Sequence, residues 1–102
     1  MKILCVCEQG NNRSVNFAQR LKYKYKADTI SIGLATTSQE TLKMLYDWAD
    51  YIIIPEKILR LHIPEGYDNK IKYFEVGQDT YPRPFNIELD RKVRQLIEQN
   101  PL

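Results

Sequence analysis

Apolar and polar positions fall in blocks along this chain, and each block predicts an element. Lys2-Ile3-Leu4-Cys5-Val6-Cys7 is a short, nearly unbroken apolar run closed by Glu8-Gln9-Gly10-Asn11-Asn12, a stretch of turn formers, which predicts a strand buried on both faces. Such strands belong to parallel sheets covered by helices on either side. From Ser14 onward Val15, Phe17, Ala18, Leu21 and Tyr25 recur at spacings near three and four, while Asn16, Gln19, Arg20, Lys22, Lys24 and Lys26 fill the other side. This is an amphipathic helix with cations in its last turns, where the helix dipole favours them. Ala27 to Ile32 predicts a second strand stopping at Gly33, and Ser38-Gln39-Glu40-Thr41 opens a helix with Leu42, Leu45, Tyr46 and Ala49 on one face. Asp50 to Ile54 is a third buried strand halted by Pro55; Glu56 to Ile63 reads as a short helix, followed by turn residues Pro64, Gly66, Asp68 and Asn69. A fourth strand is expected over Lys70 to Val76, a long loop from Gly77 to Pro84, and a final helix burying Ile87, Val93, Leu96 and Ile97.

Strands alternating with helices predict an α/β domain with a four-stranded parallel sheet, and right-handed crossovers leave few ways to connect it. A length of 102 residues, 43% hydrophobic and 27% charged, fits one globular domain over 1–102 and excludes a second independent one. A chain of this size buries roughly two-thirds of its unfolded surface, so its core needs no disulfide staples. Cys5 and Cys7, one residue apart in an apolar run, suit neither a loop-closing bridge nor a zinc site, and the lone His62 completes no ligand set. The chemistry therefore calls for no metal and no cofactor. A net charge of +2 tolerates anionic ligands but is far from the dense basic stripe of a nucleic-acid binder. No apolar stretch reaches the ~18–20 residues of a membrane span, and Met1 leads straight into a strand rather than a signal peptide. The expected address is the cytoplasm, where free thiols persist, with no membrane partner.

In sheets of this class, ligands bind beyond the carboxyl ends of the strands, and the first strand-to-helix turn is a common place. Here that turn runs Cys7-Glu8-Gln9-Gly10-Asn11-Asn12-Arg13-Ser14. Backbone N–H groups of such a loop, together with the helix N-terminus, form an anion cradle. Gly10 allows the left-handed backbone a tight loop needs. Arg13 can hold two oxygens of a tetrahedral anion with its planar fork, and Ser14 can bond the sulfur or cap the helix. Cys7, ringed by these donors, is favoured as a thiolate nucleophile.

Cys7-x5-Arg13-Ser14 after the first strand resembles the phosphate-binding signature of the low-molecular-weight protein tyrosine phosphatases, most nearly their short, stand-alone bacterial or phage members. The likeness extends to Ser31-Ile32-Gly33 after the second strand, to Trp48 through Ile54 at the third, and to the order of elements along nearly the whole chain. It implies a three-layer α/β sandwich and a phosphomonoesterase acting on a phosphotyrosine-containing protein or a small aryl phosphate. By that resemblance Cys7 is the nucleophile, the amides from Glu8 to Ser14 bind phosphate or sulfate with Arg13, and Asp79 is the general acid. Asp79-Thr80-Tyr81-Pro82 departs from the family in having Thr80 where a proline is expected. Tyr81, and less directly Trp48 or Tyr46, are expected to wall an aromatic substrate. Asp68 is the rival acid, but its place before the fourth strand puts it at the sheet's opposite edge.

Two further departures concern the loop itself. Gly10 stands where the family has asparagine, and Asn12 stands where it has a second cysteine, so a loop disulfide cannot form; Cys5 is expected in the core. Glu8 puts a carboxylate beside the pocket, which repels a dianion unless it faces solvent or a cation, and which suits a substrate carrying a positive group. Three alternatives stay open at this point: a phosphotransferase-system enzyme IIB-like phosphocarrier, disfavoured by Arg13; an arsenate reductase, which needs further cysteines downstream of Cys7; and a phosphate-binding module with little catalytic activity.

Overall fold

The computed structural model describes residues 1–102. Its elements are β1 (Lys2–Cys7), α1 (Arg13–Tyr25), β2 (Asp28–Gly33), α2 (Gln39–Trp48), β3 (Tyr51–Ile54), a 3-10 helix (Lys57–His62), a 3-10 turn (Asp68–Lys70), β4 (Ile71–Tyr73) and α3 (Ile87–Gln99). The strands form one all-parallel sheet in the order β2-β1-β3-β4. This is the α/β architecture read from the alternation of blocks.

Residues of β1 divide by parity, as strand geometry requires. Ile3 and Cys5 join Phe17, Leu21, Leu89 and Val93 in the core under α1 and α3; Leu4 and Val6 join Leu42, Tyr46, Leu59 and Ile63 under α2 and the 3-10 helix. Each face of the sheet thus has its own apolar layer, and β1 is sealed between them. Ser38 caps α2 by accepting from the Thr41 N–H, as the sequence predicts.

Several expected boundaries shift for identifiable reasons. The fourth strand, expected over Lys70 to Val76, is regular only from Ile71 to Tyr73. Phe74 N–H and Val76 N–H still donate to Ile54 and Pro55 carbonyls at 2.9 Å, but Pro55 has no N–H to return, so the ladder stays one-sided. The helix expected over Glu56 to Ile63 has 3-10 geometry. In α3, Ile87 points to solvent at 83% exposure and Leu89 takes the buried place, because the Asn86 cap puts Ile87 on the outer side of the first turn.

Asn16, assigned by periodicity to the polar face of α1, is fully buried. Its amide donates to Asp90 Oδ1 at 2.9 Å and its carbonyl accepts from Phe85 N–H at 2.8 Å. Arg20 grips the same carboxylate through Nε and Nη2 at 2.8 and 2.9 Å. The cluster sews α1 to α3 and fixes the chain at Phe85, whose φ of +61° costs about 1–3 kcal/mol in a bulky residue. The bonds from Arg20 and Asn16 hold the Asp90 carboxyl below its ordinary value. Because the folded-state value is depressed, this stabilisation is present above the ordinary carboxylate range and fades as pH falls below it. Asp90→Asn is expected to lower unfolding free energy by about 1–3 kcal/mol at pH 7. Denaturant titrations should show that deficit shrinking in acid; a deficit independent of pH would assign the loss to shape rather than charge.

Candidate active site

In the strand order β2-β1-β3-β4 the chain first steps from β1 to one side and then crosses to the other, so the carboxyl ends of β1 and β3 flank a topological switch point. Cys7 ends β1, the loop Glu8–Asn12 follows, and Arg13 begins α1. Glu56 lies just beyond the end of β3.

Two glycines let the loop settle there. Gly10 has φ +78°, and a Cβ on it would meet Gly33 N at 2.5 Å; a Cβ on Gly33 would meet the Gln9 carbonyl carbon at 2.4 Å. The loop backbone therefore lies directly on the end of β2, held also by Leu34 N–H donating to Cys7 O at 2.8 Å and Ala35 N–H to Glu8 O at 2.9 Å. This explains why the Ser31-Ile32-Gly33 segment accompanies the loop.

The sulfur of Cys7 sits at the floor, wholly covered. Gly10 N–H donates to it at 3.1 Å, and Ser14 Oγ lies 3.1 Å away on the buried side. The amides of Glu8, Gln9, Asn11, Asn12, Arg13 and Ser14 find no acceptor within the protein. Those at the start of α1 are the donors every helix leaves over, and here they join a loop of the same character. Cys5, two residues earlier, lies in the core, where burial and the neighbouring Cys7 push its thiol far up and keep it neutral.

Arg13 is the largest fully buried side chain, at 1% exposure. Nη1 donates to Glu56 Oε1 at 2.9 Å and to Gly77 O at 2.7 Å, whereas Nε is buried with no partner. An unpaired buried N–H of a cation is costly, about 1–3 kcal/mol or more. The anchored Nη1 fixes the plane of the fork, and the Nε side is the edge with which arginine binds two oxygens of an anion.

Asp79 stands in the loop after β4, with Asn12 Nδ2 3.3 Å from its Oδ1 and donating to Tyr81 O at 2.8 Å. An open cleft of about 430 Å³ is lined by Glu8, Glu56, Ile58, Leu59, His62, Gln78, Asp79 and Thr80. Sequence reasoning thus brings Cys7, Glu8, Gly10, Asn12, Arg13, Ser14 and Asp79 to one end of the sheet, with Gln9 and Asn11 on the exposed rim. It misplaced the aromatic walls. Tyr81 is buried, its hydroxyl donating to Val76 O at 3.0 Å and accepting from Lys92 at 3.1 Å, so it props the loop from inside rather than facing the cleft. Tyr46 and Trp48 pack in the layer under α2, also away from the cleft. Asp68 is paired with Arg60. Sequence reasoning missed Glu56, whose only signal was a charge placed immediately after a buried strand and Pro55. No group of three or more His, Cys, Asp and Glu side chains is arranged to hold a metal ion.

No protein-family model matches the chain, and no curated protein matches it in sequence. Among solved structures it is similar to the YwlE arginine phosphatase from Geobacillus stearothermophilus, with a TM-score of 0.62 over 96% of this chain and 91% of that one, at 18% sequence identity. At that identity the likeness is one of fold.

Proposed function

We propose that this protein is a cysteine-dependent phosphatase that hydrolyses a phosphorylated protein side chain through a phosphocysteine. The observation that carries this reading is Arg13, a fully buried cation with one nitrogen anchored and another unpartnered, beside a loop of unpaired amides above a thiol. Together these groups call for the oxygens of a tetrahedral anion at one point. Cys7 Sγ attacks phosphorus in line, forming the S–P bond as the bond to the leaving group breaks, while Asp79 gives that group a proton. Asp79 then takes a proton from the water that cleaves the S–P bond, and phosphate leaves. The fold shared with an arginine phosphatase supports the scaffold's fitness for this chemistry. No helix is long and apolar enough to cross a membrane; we assign the cytoplasm, where Cys7 stays reduced.

Phosphotyrosine is the substrate the loop signature implies. The cleft favours a second reading, because its walls carry the three carboxylates of Glu8, Glu56 and Asp79 against a single His62 and no Phe, Tyr or Trp, a lining suited to a positively charged leaving group such as the guanidinium of phosphoarginine. Phosphotyrosyl and phosphoarginyl versions of one peptide, compared by kcat/KM with a metal chelator present, separate the two. Hydrolysis of either supports the phosphatase; the faster one identifies the leaving group. Hydrolysis of neither would remove the enzyme and leave a phosphate-binding module.

A further inference from the structure

Adjacent residues at the end of the phosphate loop reach across to the loop that carries Asp79 and hold it at alternate positions. Arg13 Nη1 donates to Gly77 O at 2.7 Å; Asn12 Nδ2 donates to Tyr81 O at 2.8 Å and lies 3.3 Å from Asp79 Oδ1. The side chain of Asp79 has no other hydrogen bond in the protein, and the segment around it forms no helix or strand. Asn12 therefore touches both the carboxylate and the backbone just past it, from a position one residue before the helix that begins with Arg13.

We propose that Asn12 is a positioning residue for the general acid: its amide sets the Asp79 carboxyl over the phosphate loop, in register with the anion that the loop amides and Arg13 hold. The inference rests on the phosphatase reading. A carboxyamide suits the task because it donates two hydrogens from one nitrogen, one to the Tyr81 carbonyl and one toward Oδ1. With Oδ1 so occupied, Oδ2 is left to carry the proton that passes to the leaving oxygen as the P–O bond breaks and the S–P bond forms. A cysteine at this position, the residue found in the family the loop resembles, offers only a weak donor and cannot make this bridge.

The test separates acid catalysis from loop integrity. Wild type, Asn12→Ala, Asp79→Asn and the double variant are compared on phenyl phosphate, whose leaving group needs a proton, and on 2,4-dinitrophenyl phosphate, whose leaving group does not. The quantity read is kcat/KM, which reports the steps through phosphocysteine formation. Alanine keeps the backbone amide that the loop uses. Asn12→Ala is expected to lose about 10- to 100-fold on phenyl phosphate and less than about threefold on the dinitrophenyl ester. On the Asp79→Asn background it should add little, because both changes remove the same proton donor. Equal losses on the two esters, or undiminished loss in the double variant, would overturn the proposal while leaving the phosphatase intact. A wild type that hydrolyses neither ester removes the phosphatase reading, and this proposal with it. Asn12→Leu, of similar size and without a donor, carries the same test if Asn12→Ala is poorly folded.

Discussion

Cys7→Ser is expected to reduce phosphate-ester hydrolysis on the order of 10⁴-fold or more, to background, while the protein still folds and binds inorganic phosphate. The expectation follows from what surrounds the sulfur. Cys7 Sγ accepts from Gly10 N–H and donates to Ser14 Oγ, each at 3.1 Å, and a serine hydroxyl put in the same place is a far weaker nucleophile than a thiol. Serine is close in shape, and the residue is wholly enclosed, so the loop amides and Arg13 keep their places. Phosphate affinity, measured calorimetrically, should stay within a few-fold of wild type, which distinguishes loss of chemistry from loss of the site. Cys5→Ala provides the contrast: a neutral thiol in the apolar layer under α1 should affect stability by about 1–2 kcal/mol and leave kcat near wild type. Full activity in Cys7→Ser would eliminate the phosphocysteine. A stable phosphocysteine that forms only from a phosphorylated donor protein and does not turn over would instead identify a phosphocarrier.

What could be read before the fold was known depended on whether a residue's partners lay close in sequence or far away. The β1 run, the α1 periodicity and the Ser38 cap are local, and their physics is complete within a few residues. So is Cys7-x5-Arg13-Ser14, because a strand end, a glycine-bearing turn and a helix start already define a phosphate loop. Tyr81 shows the limit. An exposed aromatic in a loop and a buried one read alike in sequence, and only the approach of α3, with Lys92 over the ring, turns it inward. Asn16 looked like a polar-face residue because the periodicity of α1 does not reveal that α3 and the Phe85 turn supply its partners. Glu56 and Asn12 acquire their roles the same way, from contacts 43 and 67 residues apart in the chain. The misjudged residues are thus polar or amphipathic side chains whose burial is decided by long-range hydrogen bonds.

Arg13→Lys carries the second large effect, and it tests whether the unpartnered nitrogen is what holds the substrate. A lysine ammonium is a single centre. It can satisfy Glu56 and Gly77 or pair with an anion, whereas the guanidinium anchors with Nη1 and presents its Nε edge at the same time. Loss of kcat/KM by about 10²- to 10³-fold is expected, because the interaction grows as negative charge gathers on the equatorial oxygens in the transition state. The same variant should lose the rise in melting temperature that inorganic phosphate gives the wild type, since that rise measures binding to the folded state alone. Glu56→Gln separates anchoring from charge: it keeps an acceptor for Nη1 but removes the carboxylate beside the pocket. If Glu56 serves to aim Arg13, Glu56→Gln should retain phosphate binding and lose activity less than Arg13→Lys. If instead its charge mainly opposes the dianion, Glu56→Gln should bind phosphate more tightly than wild type. An Arg13→Lys enzyme within threefold of wild type would show that the loop amides suffice, and the buried Nε would then be a cost of folding with no part in binding phosphate.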